Sequence, residues 1–302
     1  MTHYELFRAT VEHKSHDTFL FEAGYTPDLE ERMLEHFDAQ NIDEIHRRFN
    51  MLIGESLQIH EKPTIEAFDF SHYYEDIEIP EGGRIDGNGV LHTPGSLYHF
   101  SHRISPLRNA VSLAEIERFS YPTPDRFDID TTALSEKVDL AHKEGKAVRA
   151  FAGHIYENAW QIRGYEEFLV DLYQNPENCQ YILERLGERS MAFAEAFAAA
   201  GVDVLHTADD VANQNAMMFS PEIWRTLMKP IWAKIIARAR ELNPRIEIFY
   251  HSDGNIMEII PDLIEIGITI LNPVQPECLD LLEVKKLYGK ELVFHGTVGT
   301  QT

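Results

Sequence analysis

The chain has 302 residues, 44% hydrophobic and 25% charged, as in an ordinary globular fold. Its 50 acidic against 27 basic residues give a net charge of −23, which repels nucleic acid and anionic lipid, and no cluster of Arg and Lys reverses the field for a polyanionic substrate. Two cysteines cannot build a disulfide framework, no apolar run approaches the roughly 18 residues of a membrane span, and the first ten residues lack a signal-peptide layout, so a cytoplasmic protein is expected.

In chain order, Thr18 to Phe21 reads as a first strand leading into Glu22-Ala23-Gly24. From about Ser71 to Arg103 the chain is rich in Gly, His and Tyr and carries the turn signal Asp86-Gly87-Asn88-Gly89, which predicts a β-hairpin insertion. Ala147 to Phe151 is a strand running into Gly153-His154-Ile155-Tyr156-Glu157, and a long helix follows from about Pro176 to Ala200. Val202 to Leu205 is the next strand, ending in His206-Thr207-Ala208-Asp209-Asp210. Ser220-Pro221-Glu222 opens a helix that Pro230 should kink or split.

Ile246 to Tyr250 is a strand ending in His251-Ser252-Asp253-Gly254, with a helix behind it that stops at Gly267. Ile268 to Leu271 runs into Asn272-Pro273-Val274-Gln275-Pro276-Glu277-Cys278, a helix spans Leu281 to Tyr288, and Leu292 to Phe294 leads into His295-Gly296-Thr297. Strands that alternate with helices mean parallel βαβ units. Six such units in one register favour a TIM-type (β/α)8 barrel over an open doubly wound sheet, as one domain across residues 1–302 with the insertion at about 71–103. Its chemistry is expected on the loops after the strands.

At these strand ends the sequence resembles the uroporphyrinogen decarboxylase superfamily. The likeness rests on Gly201-Val202-Asp203 with Asp209-Asp210, Ser220-Pro221-Glu222, Tyr250-His251-Ser252-Asp253-Gly254 and Leu271-Asn272-Pro273-Val274-Gln275. That superfamily holds porphyrinogen decarboxylases and zinc-dependent methyltransferases that work with corrinoid proteins. Decarboxylases carry arginines after the first strand to hold the substrate's carboxylates. Here that segment reads Phe21-Glu22-Ala23-Gly24-Tyr25-Thr26-Pro27-Asp28, with acids and no arginine. The resemblance therefore implies the methyltransferase branch, closest to its O-demethylase-type members. It also implies that the barrel continues past Gly296-Thr297-Val298-Gly299-Thr300-Gln301, so the chain is expected to end one βα unit short, with a gap that a second copy would cover in a homodimer.

The relatives bind zinc with His-x-Cys after one strand and a further Cys. Here His251 is followed by Asp253 in the place of that first Cys, and Cys278 stands after the next strand. These three are the expected metal ligands. The bland alternative makes Ser252 or Asp253 a helix cap, and Cys278, like Cys179, a small buried hydrophobe. Asp209, Asp210 and Glu157 are the expected catalytic carboxylates, against a reading in which they cap turns. His154, Tyr156, Gln214, Asn272 and Gln275 are expected around the substrate, with Trp160 as a second aromatic wall and His206 and His295 as weaker candidates. The implied activity is transfer of a methyl group from a small, perhaps methoxylated, substrate to a corrinoid on a partner protein, with Zn2+ as cofactor. Porphyrinogen decarboxylation and a non-catalytic barrel that binds a small molecule or a corrinoid protein stand as alternatives.

Overall fold

A computed structural model describes residues 1–52, 54–95 and 101–299. Nine strands fall into two sheets: β1 (Glu55–Leu57), β2 (Arg84–Ile85), β3 (Leu91–Pro94), β4 (Ser101–Ile104), β5 (Val148–His154), β6 (Val204–Ala208), β7 (Glu247–His251), β8 (Ile270–Asn272) and β9 (Val293–Phe294). The main sheet has the order β1-β5-β6-β7-β8-β9, and every pair in it is parallel. Helices pack between successive strands from β5 onward, as the alternation predicts. Among the described residues β1 and β9 are the sheet's edges, with no ladder joining them.

The sheet's two faces explain the burial. Leu205, Ile248 and Leu271 are completely buried against the surrounding helices, in one large core that includes Ile182, Leu186, Ile235 and Ile236. The other face holds two rows of side chains. Phe151, His206, Phe249, Ile270 and Val293 are register partners across five strands. Two residues further on, at the carboxyl ends, His154, Ala208, His251 and Asn272 form the next row. A bulge between Phe151 and Gly153 inserts the extra residue that brings His154 into that row.

Two expectations need correction. Thr18 to Phe21 is not a strand: the Phe21 carbonyl accepts from Leu52 N–H (2.7 Å) but no ladder forms there among the described residues, and β1 begins the sheet instead. The insertion is a three-stranded antiparallel sheet, β2-β3-β4, rather than a hairpin. Its first turn is the predicted one, because the Asp86 carboxylate accepts from Asn88 N–H (2.9 Å) and Val90 N–H (3.0 Å). Residues 96–100, within the predicted insertion, and 300–302 lie outside the described residues. Pro230 follows a split: helices Pro221–Leu227 and Lys229–Leu242 meet at Met228. Among the described residues no helix is long and apolar enough to cross a membrane.

Candidate metal centre at the carboxyl ends of the strands

β6 ends in two carboxylates with opposite fates. Asp209 is fully buried. Its Oδ1 accepts from the N–H groups of Ile155 (2.9 Å), Tyr156 (2.7 Å) and Glu157 (3.4 Å), and its Oδ2 from Trp232 Nε1–H (2.9 Å). Helix Tyr156–Arg163 has no cap from its own side chains, so Asp209 supplies the anion for its exposed N–H groups from the neighbouring strand. Burial pushes the Asp209 carboxyl up to about 7, opposed by His154 and by the Trp232 and Tyr156 donors. With four donors and no exposed surface, it anchors the loop after β5 rather than meeting substrate, which corrects its expected catalytic role.

Asp210 turns into the mouth. One ligand atom each from Asp210, His251 and Asp253 lies within 4.8 Å of the others. His251 Nε2 is 3.4 Å from Asp210 Oδ1, which also accepts from the Asp253 backbone N–H (2.9 Å). Burial raises the Asp210 pKa, and the carboxylates of Glu157 and Asp253 add to it, against the Asp253 N–H and His251. The His251 Nδ1 atom is 2.6 Å from Asn272 Oδ1. An amide oxygen only accepts, so Nδ1 carries a proton, and Nε2 faces the carboxylate of Asp210. With Nε2 deprotonated, one imidazole and two carboxylates form a donor set that fits a divalent metal, with the Asn272 amide orienting the ring.

The loop after β7 is held by close backbone packing. Gly254 has φ +89°, and a Cβ there would stand 2.5 Å from the Asn213 carbonyl oxygen. Buried Ser252 accepts from Val211 N–H (3.2 Å), and Gln275, also buried, accepts from Gly254 N–H (3.4 Å). Gln275 thus braces this loop instead of facing a substrate. Asn272, also expected to touch substrate, is engaged by His251 on one side and His295 on the other. Among the described residues Cys278 joins neither group of potential ligands, Asp210 with His251 and Asp253 or His154 with Glu157 and Asp209. It lies in a turn against the apolar core, where burial raises its thiol pKa and the carboxylates of Glu277 and Asp253 raise it further. Asp210 instead stands beside His251 and Asp253.

Along the β5 side, His154 Nδ1 and Glu157 Oε2 meet as an ion pair without hydrogen-bond geometry, and neither buried atom has another partner. Burial works against the charged form of His154, but Glu157, Asp209 and Asp210 outweigh it and its pKa rises; Glu157 is lowered, again against burial, by His154. Tyr156 is fully buried with its ring against Phe168 and Phe219, and Trp160 packs on Tyr165, so Tyr156 belongs to the core and does not wall the mouth. Gln214 is exposed on the loop after β6.

Beneath the upper row a cavity of about 290 Å³ is bounded by the sheet and the N-terminal segment, with Arg149, His206, Phe249 and His295 in its wall. Among the described residues Arg149 is the one guanidinium in its lining, and it is bound to Glu22 (3.0 Å). His206 lies between the rings of Phe151 and Phe249 with Nε2 buried and unpartnered. Burial, aided by His251 and Arg149, drops its pKa to about 3. A depressed histidine contributes stability that is complete above its unfolded value near 6.5 and is lost as pH falls toward 3. Going from pH 7.5 to 5.5 should therefore cost the natural protein about 1 kcal/mol more than a His206→Leu variant, measured by urea unfolding. Equal losses would show that His206 titrates normally.

The family model described as uroporphyrinogen decarboxylase (URO-D) matches residues 100–302. A solved structure similar to this chain is a methyltransferase from Methanosarcina mazei, at a TM-score of 0.64 and 14% sequence identity, covering 99% of this chain and 83% of that one. That likeness is one of fold. None of the curated proteins matches the sequence.

Proposed function

Because this chain belongs to the uroporphyrinogen decarboxylase family, we propose that it is a zinc-dependent methyltransferase. It moves a methyl group from a small methylated compound, of the methoxylated class, to the reduced corrinoid of a separate carrier protein. The observation that carries this reading is the convergence of Asp210, His251 and Asp253, one ligand atom of each within 4.8 Å of the others. A zinc ion held by these three residues supplies Lewis acidity at the heteroatom that bears the methyl group.

The chain's own groups divide the remaining work. Asn272 holds the His251 ring, and Gly254 with Ser252 and Gln275 holds the loop that carries Asp253. His154 favours its protonated form beside Glu157, so it is suited to give a proton to the oxygen or other heteroatom left when the methyl departs. Decarboxylation of a porphyrinogen is disfavoured by charge. A substrate with several carboxylates needs several free cations, and Arg149 in the cavity wall is already bound by Glu22.

The test is a paired assay of zinc-loaded protein. Methyl transfer to reduced corrinoid from a panel of methoxylated and other small methylated compounds should be measurable for at least one, with no turnover of uroporphyrinogen. Enzymatic turnover of uroporphyrinogen, with no methyl transfer across the panel, would overturn the assignment.

A further inference from the structure

The geometry points to a relay by which Glu22, in the N-terminal segment, sets which ring nitrogen of His251 is free. Its bearing on metal capture rests on the zinc reading above. The links are short and continuous. Arg149 Nη1 donates to Glu22 Oε1 (3.0 Å), His295 Nε2 is 3.1 Å from the same oxygen, Asn272 Nδ2 is 2.6 Å from His295 Nδ1, and His251 Nδ1 is 2.6 Å from Asn272 Oδ1.

Both ends of this chain of contacts face a carboxylate, but only Glu22 hydrogen-bonds its ring; His251 Nε2 stands 3.4 Å from Asp210 Oδ1 outside hydrogen-bond geometry. A carboxylate only accepts, so a singly protonated His295 must carry its proton on Nε2 to meet Glu22. The His295 Nδ1 atom is then an acceptor and takes a proton from the Asn272 amide nitrogen. This turns the Asn272 oxygen to His251, which must donate from Nδ1 and leave Nε2 bare. Reversing the amide would place a bare His295 Nε2 against the Glu22 carboxylate, acceptor facing acceptor at 3.1 Å. The tautomer of His251 is therefore dictated by a residue 229 positions away in the sequence. The same Glu22 bridges Arg149 on β5 and His295 just beyond β9, strands separated in the sheet by β6, β7 and β8. Seating of the N-terminal segment across the concave face and readiness of the metal ligand are thus one event. Glu22 and His295 are positioning residues, acting through Asn272.

The experiment uses the whole chain labelled with 15N-histidine, at pH 8 and without metal. Two-bond 1H–15N spectra report ring tautomers, with signals assigned through His251→Gln and His295→Gln. The natural protein should show His251 protonated on Nδ1 and His295 on Nε2. In Glu22→Ala both rings should become tautomer mixtures, and zinc affinity, read by competition with a chromophoric chelator, should weaken about 10-fold, the low end of the effect for groups that orient metal ligands. Adding Asn272→Asp to Glu22→Ala should restore Nδ1 protonation of His251, because the new carboxylate accepts from it whatever stands at position 22. A merely structural role for Glu22 predicts no such rescue. His251 protonated on Nε2 in the natural protein, or unchanged in Glu22→Ala, overturns the relay, and the first of these needs no variant to fold. The expected tautomers in a protein that takes up no zinc would support the relay and overturn the metal reading.

Discussion

Replacing Asp209 by alanine should lower the unfolding free energy by about 3–5 kcal/mol, the largest loss expected from any polar substitution at this site. The carboxylate accepts three N–H groups of the first turn of helix Tyr156–Arg163 and the Trp232 indole N–H, all away from water. Alanine leaves those buried donors without partners, each costing about 1–3 kcal/mol, partly recovered by relaxation. Asp209→Asn keeps an oxygen for the backbone donors and should lose less, about 1–2 kcal/mol, because its amide nitrogen cannot accept from Trp232. The raised carboxyl adds a pH signature. Its stabilising contribution is complete below the unfolded value near 4 and falls away as pH rises through about 7. Between those limits the natural protein should lose stability relative to Asp209→Asn. Denaturant unfolding at pH 5 and pH 8 measures both effects. A loss under 1 kcal/mol for Asp209→Ala would show that the helix does not depend on this cap.

The second large effect is on metal affinity. His251→Ala removes the one neutral nitrogen donor of the Asp210, His251 and Asp253 group, and the remaining carboxylates can hold zinc only weakly. Zinc affinity should fall by at least about 100-fold, with methyl transfer lost and the fold unchanged. Asp210→Ala should weaken binding more than Cys278→Ala. The thiol lies outside the ligand group, and its raised pKa disfavours the thiolate that zinc requires. Retained zinc in His251→Ala, or a larger loss in Cys278→Ala, would reverse the ligand assignment.

What was legible in the sequence follows from where the physical signal is local. β5 through β9 announce themselves because runs such as Val202–Leu205 and Ile246–Tyr250 are apolar, helix-flanked and end in polar residues. β1 gives no such signal. Glu55-Ser56-Leu57 is three residues with no β-branched side chain, and it is a strand only because β5 offers it a partner. β4 was hidden for a related reason, since Ser101-His102-Arg103-Ile104 is largely polar and exposed.

The site divides in the same way. That chemistry should gather after the strands was readable, and His251 and Asp253 are two residues apart on one loop. Which of Asp209 and Asp210 enters the mouth was not readable. Successive residues leave a strand on opposite sides, so one of the pair caps a helix while the other faces His251, and the choice depends on three-dimensional register. Cys278 illustrates the reverse error: position after a strand suggested convergence, but the turn that follows carries its sulfur into the apolar packing. Glu22 stands in the segment where the resemblance places arginines, and its contact with His295 joins residues 273 apart, a separation no sequence pattern encodes.

The central claim, a zinc site built on His251 with oxygen co-ligands from Asp210 and Asp253, is tested most directly by zinc K-edge X-ray absorption on protein prepared without chelator. The expected result is about one zinc per chain with a first shell of nitrogen and oxygen at roughly 2.0–2.2 Å and no sulfur at about 2.3 Å. Absence of zinc, or a sulfur scatterer in its first shell, would contradict it.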